Sequence, residues 1–276
     1  MIILAIPICI LGLFANAMVF YFLCSKVKKT KFTVYFMNMI FADIIVLLYQ
    51  YTYFMLFLKP TEVTASVSNF LELTYMLAYN SGLYVLTALC AERCVLVFFP
   101  IWYRSHRPKH FSFLVCALSW IFSALVSIME YFTCYPRFYA YLDEDSYGCY
   151  FQTIFQIIIF LIFVPIMAIS TLAIFIRMKQ KVRQGPPAPI DVTITAVVIF
   201  FLIFDSSVRV YNFLEYWYDA LGVPLFTISV LFDAIARGID PFLFFFVGYC
   251  SERECDPLEV FVERSLQDER NRVEGT

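Results

Sequence analysis

Seven long apolar runs mark the chain, at about 2–24, 32–57, 66–99, 111–132, 150–176, 192–217 and 224–247, separated by short segments where charge, Pro and Gly gather. Each has about 20 residues or more, the length an α-helix needs to cross a hydrocarbon core about 30 Å thick. The alternating pattern of membrane β-strands is absent. The pattern predicts an all-α membrane protein, a seven-transmembrane helix bundle over residues 1–248. Past Gly248, Leu258, Phe261, Val262 and Leu266 recur at helical spacing among Glu and Arg. Residues 249–276 are therefore predicted as a tail with a short amphipathic helix lying on membrane lipid.

The segments after the first, third and fifth runs carry Lys26, Lys28, Lys29, Lys31, Arg104, Arg107, Lys109, Arg177, Lys179, Lys181 and Arg183, whereas the opposite segments carry only Lys59 and Arg137. By the positive-inside rule the N-terminus is outside and the C-terminus cytoplasmic. Ala15-Asn16-Ala17 invites a signal-peptide reading of the first run, but that run lacks a basic start and ends in lysines, so it is read as a transmembrane helix.

Composition agrees, with 62% hydrophobic, 20% aromatic and 15% charged residues. A net charge of −2 gives no reason to expect a nucleic-acid partner. Most of the nine cysteines lie inside apolar runs and read as small packing residues. Cys250 and Cys255, just past the last run, are palmitoylation candidates by position, with unmodified thiols as the alternative. No metal, phosphate-loop or nucleophile motif occurs, and His106 and His110 flank Pro108 in a basic, proline-marked loop. Neither an enzyme nor a cofactor is expected.

Glu92-Arg93-Cys94 ends the third run, with Asn16 in the first, Asp43 in the second, Trp120 in the fourth and Pro165 in the fifth. Asp240-Pro241-Phe242-Leu243-Phe244 lies in the seventh. This set resembles the rhodopsin-like G-protein-coupled receptors. Pro100-Ile101-Trp102-Tyr103-Arg104-Ser105-His106-Arg107-Pro108, Leu118-Ser119-Trp120, Met129-Glu130-Tyr131 and Phe245-Phe246-Val247-Gly248 resemble, more narrowly, the Mas-related receptors. The third run has no outer cysteine for the usual receptor disulfide. The narrower resemblance implies a Cys134–Cys149 bridge instead, with two free thiols as the alternative.

It also implies a plasma-membrane receptor that binds an extracellular peptide or amine and couples to a heterotrimeric G protein through Glu92, Arg93, Cys94, Ile101 and Arg104, with the Arg177–Arg183 segment. Glu130 is the leading ligand candidate, because some relatives use an acid there to attract cations; a salt bridge to Arg137 or a rim acid that snorkels to the surface is the bland alternative. The second acid of those relatives is replaced by Phe155. Glu72, Tyr75 and Tyr79 lie toward the outer mouth, as do Tyr211 and Trp217, and each is either pocket lining or packing.

Asp205, Asp233, Arg237 and Asp240, with Asn16 and Asp43, form a candidate intramembrane polar network. Asp205 with Arg209, and Asp233 with Arg237, have the i, i+4 spacing of local ion pairs. A sharper expectation has Arg237 reach Asp43 and fill the place of a sodium ion in many relatives. The sixth run lacks the usual proline, which predicts a straighter helix. The altered sixth and seventh runs keep two rivals open: a non-signalling decoy or heteromer partner and, less favoured for want of an internal repeat, a transporter.

Overall fold

The computed structural model describes residues 2–27, 30–59, 64–133, 147–181, 188–218, 222–251 and Val262. Among them the order is α1 (Ile2–Ser25), α2 (Thr33–Leu58), α3 (Ala65–Phe98), α4 (Pro100–His106), α5 (Phe111–Thr133), α6 (Tyr147–Lys181), α7 (Pro189–Phe200), a π-helical turn (Phe201–Asp205), α8 (Ser207–Tyr218) and α9 (Gly222–Ser251). No strand occurs among the described residues. Six spans, in α1, α2, α3, α5, α6 and the α7–α8 rod, are long and apolar enough to cross a membrane. The seventh is α9, whose 30 residues reach about 45 Å at the helical rise.

The bundle is organised around α3, which packs on α2, α5 and α6, while α9 closes the other side against α1, α2 and the α7–α8 rod. Tyr35, Phe36, Leu83, Leu86, Leu89 and Phe244 are buried in its core. Phe244 meets Phe36 edge-on at 5.1 Å, an aromatic pair within this core. Phe113, Leu114, Ile121 and Leu125 on α5, with Leu161, Ile169 and Leu172 on α6, are exposed. In a membrane these faces meet lipid and need no further partner.

At Gly12 the α1 and α9 backbones approach closely; a Cβ there would stand 3.0 Å from the Cα of Gly238. This contact brings Asn16 to α9. Its Nδ2 donates to the carbonyls of Gly12 (2.9 Å) and Arg237 (3.0 Å). The Arg237 carbonyl is the one that residue 241 would normally serve, and Pro241 has no N–H to give. Asn16 thus satisfies a backbone group that the proline strands.

Two expectations are corrected. The segment after Phe99 is a seven-residue helix rather than a loop, started by Pro100, whose fixed φ suits the first helical position. The sixth span is not a straight α-helix either. At Phe201–Asp205 it widens into a π turn, where the Ser206 N–H donates to the Phe201 carbonyl at 3.0 Å. The Ser206 hydroxyl bonds the Leu202 carbonyl at 2.8 Å, and that of Tyr79 donates to the Asp205 carbonyl at 3.3 Å. The interruption is therefore made by hydroxyls competing for helical carbonyls, without proline.

Candidate functional site

At the end of the bundle where α3 meets α7, Arg93 is 2% exposed. Its Nε donates to Asp191 Oδ1 at 2.5 Å, and its guanidinium lies 5.3 Å from the Phe32 ring centre. Asp191 sits in the first turn of α7, where the unpaired N–H groups of a helix start favour a negative charge. The sequence reading missed Asp191; its only signal was an acid just after Pro189, which reads equally well as ordinary helix-start chemistry.

Glu92 points elsewhere. It accepts bonds from the Tyr35 and Tyr103 hydroxyls and from Arg107 Nε at 2.8 Å. Arg107 also donates to Ser112 Oγ at 2.5 Å. Glu92 therefore ties α2, α3, α4 and α5 together, while its neighbour Arg93 reaches α7. Cys94 is a partly buried free thiol, Ile101 is 84% exposed on α4, and Arg104 lies in α4.

In the middle of the bundle Arg237 is surrounded by acids from three spans. Nη1 is 2.6 Å from Asp43 on α2, Nη2 is 2.7 Å from Asp205 at the π turn, and Nε is 3.1 Å from Asp233 one turn away on α9. Gln50 Nε2 donates to the second oxygen of Asp233 at 2.5 Å. All four charged residues are at most 4% exposed. Such a group persists only because each charge is paired or hydrogen-bonded. Asp240 lines the adjoining cavity of ≈ 20 Å³ with Asp43, Asp205 and Arg237, room for about one water.

The expected Asp205–Arg209 pair is not formed. Asp205 turns to Arg237, while Arg209 donates to Asn80 Oδ1 and the Tyr79 carbonyl, both at 3.2 Å. An i, i+4 pair presumes regular α geometry, and the π turn ends at Asp205.

From this centre an aromatic column continues along α3. Tyr79 stacks on Tyr75 at 5.5 Å and Tyr75 on Tyr49 at 4.2 Å. Two guanidiniums face the Tyr79 ring, that of Arg209 at 4.2 Å and that of Arg237 at 5.2 Å. Tyr79 is thus enclosed on its faces and through its hydroxyl. Glu72 and Tyr211 are buried, and Trp217 lies on α8. Glu130 accepts from Gln156 Nε2 of α6 at 2.9 Å. Cys149 and Cys250 fall in α6 and α9; Cys134 and Cys255, and with Cys134 the expected bridge, lie outside the described residues. No group of three or more His, Cys, Asp or Glu able to hold a metal occurs among the described residues.

Among the described residues the arrangement brings no nucleophile beside a base. It supplies instead paired charges that join spans which could separate, the raw material of a two-state element.

Comparison with known proteins fits this frame. The family of serpentine-type 7TM GPCR chemoreceptors Srx matches residues 6–186. The proto-oncogene Mas of Rattus norvegicus is 34% identical over 267 residues, covering 94% of this chain and 81% of the relative. Mas-related G-protein coupled receptor member D of Rattus norvegicus is 30% identical over 277 residues, 96% of this chain and 86% of the relative. Member B2 of Mus musculus is 30% identical over 276 residues, 97% and 81% respectively. The chain is a multi-pass membrane protein and belongs to the seven-transmembrane G-protein-coupled receptors of the Mas and Mas-related group, which are receptors and not enzymes.

Proposed function

We propose that this receptor sits in the plasma membrane with its N-terminus outside, binds an extracellular peptide or small cationic ligand toward the Glu130 end, and activates a heterotrimeric G protein at the Arg93 end. The observation that carries the reading is the Arg93–Asp191 pair. It latches α3 to the start of the sixth span beside the basic segments that the positive-inside rule assigns to the cytoplasm. Ligand binding shifts the bundle toward a packing in which this latch is open and Arg93, Ile101 and Arg104 face the G protein. Glu92, held by Tyr35, Tyr103 and Arg107, stays behind as the frame that keeps α4 in place.

At the ligand end, Glu130 is the cation site, and its bond from Gln156 orients the carboxylate. Glu72, Tyr75 and Tyr211 line the approach, with Trp217 at the end of α8. Tyr79 connects that approach to Arg237, whose guanidinium takes the place of a sodium ion against Asp43. A Cys134–Cys149 bridge joins α5 to α6, and palmitate on Cys250 or Cys255 fixes the tail helix to the membrane. The rival reading, a non-signalling decoy or heteromer partner, draws its support from Asp240, Phe244 and the sixth span without its proline.

A G-protein dissociation assay across subtypes separates the two, first without ligand and then with a cationic-peptide panel, comparing the wild type with Arg93→Ala. Coupling that disappears with the substitution supports the receptor; no response under any condition, at normal surface expression, supports the decoy.

A further inference from the structure

Arg209, half-buried, differs from the buried Arg93 and Arg237 in having no acid. Its hydrogen bonds go to an amide oxygen, Asn80 Oδ1, and to the backbone carbonyl of Tyr79, and its guanidinium carbon lies over the Tyr79 ring, 4.2 Å from the centre. Its Nε is enclosed by protein and has no acceptor. A half-buried cation within a membrane span that has only neutral partners is an incomplete pairing, since charges inside spans pair with opposite charge.

The surroundings are incomplete in the same way. One turn from Asn80 on the same face of α3, Tyr84 is 2% exposed, and its hydroxyl has no hydrogen-bond partner. Its ring is flanked by Phe122 at 5.0 Å and Phe163 at 4.8 Å. Nearby on α6, Gln156 gives its amide N–H to Glu130, while its Oε1 is enclosed without a donor. Two unused donors and one unused acceptor thus occur among α3, α6 and α8, with Glu130 of α5 beside them.

We propose that Arg209 is the recognition point for a carboxylate carried by the receptor's ligand, with the Tyr84 hydroxyl as a second donor and the flanking phenylalanines receiving the adjoining apolar part. This rests on the receptor reading above and adds the anionic half of the ligand to the cationic half that Glu130 takes. Nine residues separate Arg209 from Tyr218 at the end of α8, so the site lies about 14 Å down the helix from the proposed outer end. A guanidinium drawn onto a carboxylate loosens its hold on Asn80 and on the carbonyl of Tyr79. Because the Tyr79 ring also faces Arg237 and its hydroxyl bonds the π-turn carbonyl of Asp205, the change reaches the polar centre directly.

The test uses the purified full-length receptor in lipid nanodiscs, with 3-phenylpropionate as probe and 3-phenylpropionamide as its uncharged control. The expected result is a rise in melting temperature of about 2–4 °C with the carboxylate at saturation, no rise with the amide, and loss of the rise in Arg209→Gln. Arg209→Gln without probe melts close to the wild type, because the amide N–H of Gln replaces a donor to Asn80 Oδ1 while the cation lacking an acid is removed. Asn80→Asp is the second variant: it supplies the missing carboxylate from within and also abolishes the probe's effect. No rise in the wild type, an equal rise with the amide, or a full rise in either variant overturns the proposal. Coupling that needs Arg93 but ignores the probe's site overturns this inference and leaves the receptor reading intact; stabilisation through Arg209 without coupling does the reverse.

Discussion

At one end of the bundle Arg93 joins α3 to the sixth span at Asp191; in the middle Arg237 meets that span at Asp205 and also grips α2 and its own helix through Asp43 and Asp233. The two arginines meet the same span 14 residues apart, at Asp191 and Asp205, with different neighbours. The Arg93–Asp191 pair joins two spans, α3 and the sixth. Arg237 cannot leave without stranding three carboxylates that are almost fully enclosed. A contact that keeps helices in register is built with several partners from several spans, and a contact to be made and broken joins fewer spans. The π turn beside Asp205 gives the sixth span a compliant point between the two grips.

The sharpest way to break this comparison is to remove each arginine in turn. Arg237→Leu should cost about 3–5 kcal/mol by leaving buried acids unpaired, read as loss of surface receptor by flow cytometry, whereas Arg93→Ala should reach the surface normally. Equal losses would erase the distinction. In Arg237→Asn the vacated space beside Asp43 should admit sodium: replacing choline chloride by sodium chloride raises the melting temperature of the variant and not of the wild type.

A smaller effect tests the frame around Arg237. Gly12→Val pushes against the backbone of Gly238 and should cost about 1–3 kcal/mol, seen as a lower melting temperature. Gly238→Ala meets its neighbours at ordinary distances and should be near neutral. The smallest change is Tyr79→Phe, which keeps the stacked ring and removes one bond to the π-turn carbonyl. It should cost about 0.5–1.5 kcal/mol and leave surface expression unchanged.

Much of this was legible in the sequence, for reasons that differ by residue. Charges inside apolar runs are rare enough that Asp43, Asp205, Asp233 and Arg237 announce a network, and helical rise alone brings them to similar depth. Asn16 was legible as a motif, but its task of serving the carbonyl stranded by Pro241 needs the Gly12–Gly238 approach, which no local pattern reveals. Asp191 was not legible as the partner of Arg93, because 98 residues separate them and an acid after a proline has a sufficient local explanation. The π turn was hidden because a missing proline suggests regular helix, whereas the hydroxyls of Ser206 and Tyr79 interrupt it by other means. The same turn ends the simple i, i+4 reading of Asp205 and Arg209 and leaves Arg209 with neutral partners.

The claim at the centre of this account is that the Arg93–Asp191 pair holds the receptor in its uncoupled packing. The most direct test is ligand-independent G-protein dissociation in cells bearing Asp191→Asn at surface levels matched to the wild type. The account predicts higher basal coupling in Asp191→Asn, returned to background when Arg93→Ala is added. Basal coupling that is unchanged, or a rise that persists without Arg93, would contradict it.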